Sequence, residues 1–328
     1  MQISIRVVNN DALVINADVL VLKHAQALFG VDRKVVHRLS KLHANLDSSL
    51  PEYGKFLQVD SFGTIGVKEV LFVGVEQLFE FRYQNVREFA HRALAYLAKN
   101  SPQVETICFT LHGGGYGLDE VEAFESEIAG IVDALSKGEF PKGLKEIIIV
   151  ELHKSLAEQL SQSLKDLFPQ GFIVINKGNL AETSSSSSSR LKEAGLSSET
   201  KPLVFVAMPF DEKMSDVFHY GIRGAVNNAG YLCERVDQTH FTGDVMEYVK
   251  LRIRQADLVL ADLTQANANV YLEVGYAWGC EKQTVLLVQD ANELKFDVKS
   301  QRCLIYKSIR ELEEMLHREL EKLPLKAK

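Results

Sequence analysis

The sequence predicts two α/β domains: a mixed-sheet domain over residues 1–180, and a doubly wound domain with a five-stranded parallel sheet over residues 201–328. Three observations carry this reading. The 328 residues are about twice the length at which a single core is complete. Short β-rich runs alternate with segments whose apolar residues recur every three or four positions, as strands separated by amphipathic helices do. Between the halves, residues 181–200 (AETSSSSSSRLKEAGLSSET) hold six consecutive serines and no aromatic or β-branched aliphatic residue. Such a segment has little apolar surface to offset the entropy of ordering, so it reads as a flexible linker.

In the first domain the expected strands are ISIRVV (3–8), ADVLVL (17–22), KFLQVD (55–60), EVLFVG (69–74), ETICFTL (105–111), EIIIVEL (146–152) and FIVIN (172–176). Helical periodicity fills 31–43, 85–100, 119–135 and 155–168. In the second domain LVFVAM (203–208), YLCERV (231–236), DLVLAD (257–262), TVLLVQ (284–289) and CLIY (303–306) are strands, and 213–229, 244–254, 269–280 and 308–323 are helices. Strict alternation implies parallel strands with right-handed crossovers and helices on both faces.

A net charge of −7 argues against a protein whose affinity rests on neutralising nucleic-acid phosphates. No apolar run approaches the roughly 18 residues of a membrane helix, and the opening MQISIRVVNNDALV is not that of a signal peptide. A cytoplasmic location is expected. Cys108, Cys233, Cys280 and Cys303 are widely spaced in apolar surroundings and read as buried reduced thiols. His219 and His240 have no companion at ligand spacing, so no metal is expected.

Ligands of a doubly wound sheet bind beyond the carboxyl ends of its strands, where the strand order reverses. After LVFVAM, the stretch Met208-Pro209-Phe210-Asp211 suits bracketing a base or sugar, or is a turn closed by an aspartate cap. Asp257 and Asp262 bracket the DLVLAD strand, and Thr264, Asn267 and Asn269 lead into a helix carrying Glu273 and Tyr276. Glu273 is the leading candidate for catalysis. The helix dipole stabilises an acid there by roughly 0.3–1 kcal/mol, but burial among Val270, Leu272, Val274, Ala277 and Trp278 costs more unless a partner or ligand compensates. A carboxylate so placed suits capture or stabilisation of an oxocarbenium-like sugar carbon as an N-glycosidic bond breaks. Asp257, Asp262 or the asparagines would then hold ribose hydroxyls or the leaving base. Arg235 ends its strand at the same edge and suits a phosphate, or is simply solvated; Trp278 reads as core.

The stretches FVAMPF and GDVMEYVKLRIRQADLVLADLTQANANVYLEVGYAWG resemble the TIR-like and nucleoside 2-deoxyribosyltransferase-like superfamily of flavodoxin-like N-glycosidases, over about residues 201–307. The resemblance implies a flavodoxin-like sheet, makes Glu273 of LEVGYA catalytic, and gives Asp257 a part in substrate binding. Classical deoxyribosyltransferases place another carboxylate shortly before the catalytic glutamate; here Gln265-Ala266-Asn267-Ala268-Asn269 holds none. The neutral amides and the MPF opening are more similar to TIR-like effectors of bacterial immune operons, several of which cleave NAD or related nucleotides. The resemblance thus implies NAD as a substrate rather than a cofactor, and a homo-oligomer.

In the first domain His112-Gly113-Gly114-Gly115-Tyr116-Gly117 lies between a strand and a helix. Glycines let the backbone approach an anion closely, and a following helix amino terminus favours negative charge, so the loop suits a phosphate or is an ordinary glycine-rich turn. The order of strands and helices over residues 1–178 resembles macro-like domains, particularly the amino-terminal domain of leucine aminopeptidases. Such domains commonly bind ADP-ribose-type ligands, which implies a nucleotide sensor. The combined expectation is an N-glycosidase effector hydrolysing NAD, gated by ligand sensing in the first domain, in antiviral defence. The rivals are a metabolic nucleoside deoxyribosyltransferase or nucleotide N-hydrolase, and a non-catalytic nucleotide-binding scaffold.

Overall fold

The computed structural model describes residues 1–323 apart from 29, 78–81, 113–117, 177–178, 182–184, 197–200, 210 and 236–244. The chain divides into two compact units, residues 1–114 with 120–199, and residues 115–119 with 200–328.

The first unit contains β1 (Gln2–Asn9), β2 (Val19–His24), α1 (Gly30–Leu39), α2 (Leu46–Ser49), β3 (Phe56–Asp60), β4 (Glu69–Gly74) and α3 (Tyr83–Asn100). It continues through β5 (Thr106–Thr110), α4 (Glu120–Lys137), β6 (Glu146–Glu151), α5 (Lys154–Leu167), β7 (Phe172–Asn176), β8 (Asn179–Ala181) and α6 (Ser185–Glu193). The strand order is β3-β4-β2-β5-β6-β1-β7-β8. The run from β4 to β1 is parallel, whereas β3, β7 and β8 join antiparallel, so the sheet is mixed as the sequence predicts. Its central strands are continuous apolar runs because helices cover both faces. On one face Leu20, Leu22, Val70, Phe72, Cys108 and Ile148 pack against Val35, Val36 and Leu39 of α1. On the other, Phe89 of α3 meets Phe109 edge-on with ring centroids 6.2 Å apart. Gly130 lets α3 and α4 close together, since a Cβ there would stand 2.0 Å from the Arg87 carbonyl oxygen.

The serine run departs from the expected flexible linker: it forms α6, within the first unit. The cause is a tertiary contact that composition cannot reveal. Arg87 on α3 donates through Nη1 to the carbonyls of Leu191, Lys192 and Ala194 at 3.1, 3.1 and 2.6 Å. Its Nε and Nη2 bind Asp133 at 2.7 and 3.0 Å. One guanidinium therefore serves the carbonyls that a helix leaves open at its carboxyl end. Arg190 adds an ion pair to Glu125, Leu191 is buried, and Gly195 at φ 82° closes the helix with a left-handed residue.

The second unit contains β9 (Leu203–Ala207), a π-helical segment Val217–Arg223 that runs into α7 (Gly224–Asn228), β10 (Leu232–Glu234), α8 (Val245–Gln255), β11 (Leu258–Asp262), α9 (Ala268–Gly279), β12 (Thr284–Val288), β13 (Cys303–Ile305) and α10 (Ile309–Leu320). Its five strands are all parallel in the order β10-β9-β11-β12-β13, the doubly wound sheet predicted. Val204, Val206, Met208, Leu258 and Leu260 form one core with Phe218, Ile222, Val226, Leu312 and Leu316. Strand alternation turns Phe205, Ala207, Val259 and Ala261 to the opposite face, beneath α8 and α9. Trp278 corrects the expectation of a core residue, being 38% exposed. Cys108 and Cys233 are buried as expected, whereas Cys280 and Cys303 are half-buried; all four are free thiols. Among the described residues no helix is long and apolar enough to cross a membrane.

Replacing Arg87 by alanine strips Asp133 and three carbonyls of their donor. We expect R87A to lose about 1–3 kcal/mol in chemical denaturation and to exchange the amides of α6 faster in hydrogen exchange, while those of β4 and β5 stay protected.

Candidate functional site

Strand order reverses between β9 and β11, where the chain leaves β9 toward β10 and leaves β11 toward β12. At this switch point Ala207 and Ala261 are register partners. Both side chains are small, and strand alternation turns them to the face covered by α8 and α9. Glu273 is placed on that face. Val270, Val274 and Ala277 form the buried stripe of α9, and Tyr276 on its flank accepts a hydrogen bond from Arg254 of α8. Glu273 lies between stripe and flank on the helix surface. It is half-buried and has no hydrogen-bond partner among the described residues. Burial alone pushes its carboxyl up to about 7.

Asn269 sits one turn nearer the mouth on the same side of α9, exposed, so the structure brings it together with Glu273. Asn267 begins the helix, its side chain accepting from the Asn269 N–H at 2.9 Å. Met208 and Pro209 are buried at the end of β9, and Phe210 lies outside the described residues. Asp211 accepts from the Lys213 N–H at 3.0 Å, the turn-closing role, and that bond holds its carboxyl below the usual range.

Several expected site residues stand elsewhere. Asp257 precedes β11 and accepts from the Leu203 N–H at 2.9 Å, at the amino edge of the sheet. The five residues of β11 span roughly 16 Å at about 3.3 Å each, so Asp257 stands a strand's length from Asp262. Asp262 is at the correct edge but fully buried, with both oxygens engaged: Oδ1 accepts from the Thr264 N–H at 3.0 Å and Oδ2 from the Tyr306 hydroxyl at 2.6 Å. Gln289 donates to the same hydroxyl at 3.2 Å and, through its N–H, to Thr264 Oγ1 at 3.1 Å. Asp262 thus braces the turn beneath the crevice and has no surface for ribose; desolvation raises its carboxyl despite these donors. Tyr276 lies a turn below Glu273 with its hydroxyl taken by Arg254. Arg235 is on the opposite face of the edge, its guanidinium 4.2 Å above the Phe218 ring and Nη1 3.7 Å from Met208 Sδ.

Sequence reasoning missed the Thr264–Gln289–Tyr306 brace, and also Glu234 and Arg252. This pair, 4% and 2% exposed, joins the end of β10 to α8 through a bidentate ion pair with Nε to Oε1 at 2.7 Å.

In the first unit His112 follows β5, 3% exposed, edge-on to Phe89 at 4.6 Å. Its Nε2 has no hydrogen-bond partner among the described residues, and burial holds the ring neutral, far below its ordinary value. Gly113, Gly114, Gly115 and Gly117 lie outside the described residues. At the carboxyl end of β2, which neighbours β5, Lys23 forms a buried ion pair with Asp32 of α1 at 2.7 Å. Asp32 Oδ1 and Thr110 Oγ1 are also buried without partners among the described residues. Sequence reasoning missed Lys23 and Asp32, although a lysine closing the apolar run VLVLK was a visible signal. Among the described residues no group of three His, Cys, Asp or Glu side chains is placed to hold a metal ion.

No protein-family model and no curated protein matches the chain. Solved structures similar to part of it include a CMP N-glycosidase, BcmB, of Clostridium botulinum, at 16% identity over 36% of this chain and 98% of that one with a TM-score of 0.31. Others are the Oceanobacillus iheyensis macrodomain with ADP, at 17% identity over 50% and 91% with a TM-score of 0.39, and the Trypanosoma brucei macrodomain in complex with ADP, at 15% over 49% and 69% with a TM-score of 0.42.

Glu273 titrates near 7 in the fold and near 4.5 when unfolded. Its ionisation therefore favours the unfolded chain: the penalty is absent below pH 4.5, grows between 4.5 and 7, and is complete above 7. We expect E273Q to match the parent in stability at pH 4 and to exceed it by on the order of 3 kcal/mol at pH 8, in denaturant melts at both values.

Proposed function

We propose that the second unit is an N-glycosidase of the TIR-like and deoxyribosyltransferase-like kind that hydrolyses NAD or a related nucleotide. Glu273 carries the reading: a desolvated carboxylate, without a partner among the described residues, on the helix that follows β11 at the switch point of a doubly wound sheet. The cost of burying it is compensated when a cationic centre comes within reach, and the ribosyl carbon becomes that centre as the bond to the base breaks. The bonding pair leaves with the base, so nicotinamide departs neutral. The carbon is then captured by Glu273 or held by it for attack by water, which supplies the new hydroxyl and releases a proton.

Asn269, a turn above, would bind the sugar or the base, with Met208, Pro209 and Phe210 closing the mouth. Arg235, pinned on Phe218 at the same edge, would meet the phosphate from the other side of the sheet. The macro-like first unit would bind an ADP-ribose-like ligand through His112 and the glycines that follow it, gating the second unit. This activity would serve antiviral defence, in a cytoplasmic homo-oligomer.

Glu273 must be ionised to act, so nicotinamide release followed by chromatography should rise with pH and level off above about 7. E273Q should lose roughly 10²–10⁴-fold. Full turnover by E273Q overturns the assignment. Silence on NAD with base exchange on deoxynucleosides points to a deoxyribosyltransferase, and tight binding without released base to a scaffold.

A further inference from the structure

The turn from β11 into α9 is strained. Gln265 and Ala266 have φ values of 65° and 49°, a left-handed backbone that is costly for a residue with a Cβ. Neither is glycine, asparagine or aspartate, the residues that adopt this conformation most readily. Two acids outside the turn hold it. Glu293, from the segment after β12, accepts the Gln265 backbone N–H through Oε2 at 2.6 Å. Asp211, from the segment after β9, accepts from Gln265 Nε2 at 3.4 Å. Glu293 is half-buried and its bond is short, whereas Asp211 is exposed and its contact is near the limit of a hydrogen bond, so Glu293 is the stronger anchor.

The strained residues stand directly before Asn267, which caps α9. Each residue of helix advances 1.5 Å and turns about 100°, so a slip at this turn would carry Glu273 out of its place. We infer that Glu293 is a positioning residue: by holding Gln265 left-handed it fixes where α9 begins, and so where Glu273 stands on the face that α9 covers. The inference rests on the role proposed for Glu273. Without this acceptor the strain is uncompensated and the turn relaxes toward right-handed backbone. Glycine at 265 adopts a positive φ at little cost, which removes the need for the acceptor.

The test compares wild type, E293A, E293Q and the double variant E293A/Q265G in the full chain. It has two readouts: kcat and KM for base release from NAD, and the emission of Trp278. This tryptophan is the chain's single one, lies on α9 and is 38% exposed, so it reports how the helix is seated. E293A should lower kcat by about 10- to 100-fold with KM nearly unchanged, and shift the emission. E293Q keeps an amide oxygen that accepts the N–H and should stay within a few-fold of wild type. Q265G added to E293A should restore both kcat and emission. The inference is overturned if E293A leaves both readouts unchanged, or if Q265G fails to restore them at equal melting temperature. Should E293A not fold, Glu293→Asp, one methylene shorter, takes its place with the same expectations. If wild type releases no base, the glycosidase reading falls, and the emission series still decides whether Glu293 holds the turn.

Discussion

Right-handed crossovers cannot cover the point at which a parallel sheet reverses its strand order. From β9 the chain passes on one face to β10, then returns on the other face past β9 to β11, and the carboxyl ends of β9 and β11 are left open between diverging helices. The second unit is arranged around that opening. Ala207 and Ala261 are paired at the ends of β9 and β11, α9 carries Glu273 on the face to which they turn, and the loops after β9, β11 and β12 are tied together through Gln265.

Two acids of this unit, one buried and one half-buried, show how environment divides labour. Asp262 is enclosed more deeply, yet a backbone N–H and a tyrosine hydroxyl serve its two oxygens, so its burial is compensated and its work is structural. Glu273 is less enclosed but has no such donors among the described residues, and its carboxyl rises to about 7. A group left uncompensated costs stability in the empty protein and gains from any ligand that develops positive charge beside it. The same logic distinguishes the Glu234–Arg252 pair, which is buried, mutually satisfied and anchors α8.

Much of the fold was legible because parallel strands covered on both faces are continuous apolar runs, and because the crossover rule then leaves few topologies. The edge at which to search follows from the same rule, and Glu273 is the candidate that it singles out. Where the other expected site residues stand has physical causes. The sequence places Asp257 and Asp262 at one site, whereas they bracket β11 at its two ends. Arg235 stands on the face opposite α8, because Glu234 beside it faces α8 and alternation turns the arginine away. Tyr276 shares a side of α9 with Glu273 but lies a turn deeper. The serine helix α6 was illegible because Arg87, about a hundred positions away in sequence, supplies what its own side chains lack. The left-handed Gln265–Ala266 turn carries no glycine to announce it. In the first unit Lys23 broke an apolar run in plain view, while its partner Asp32 was hidden in an ordinary first helical turn.

The central claim is that the fold holds Glu273 desolvated, with no neutralising partner among the described residues. Its most direct test is a pH titration of the Glu273 side-chain carboxyl carbon by ¹³C NMR in the ligand-free full chain, assigned by comparison with E273Q. The account predicts a midpoint near 7. A midpoint at the ordinary glutamate value of about 4.3 would contradict it, since the carboxylate would then be solvated or paired and would hold no reserve for a developing ribosyl cation.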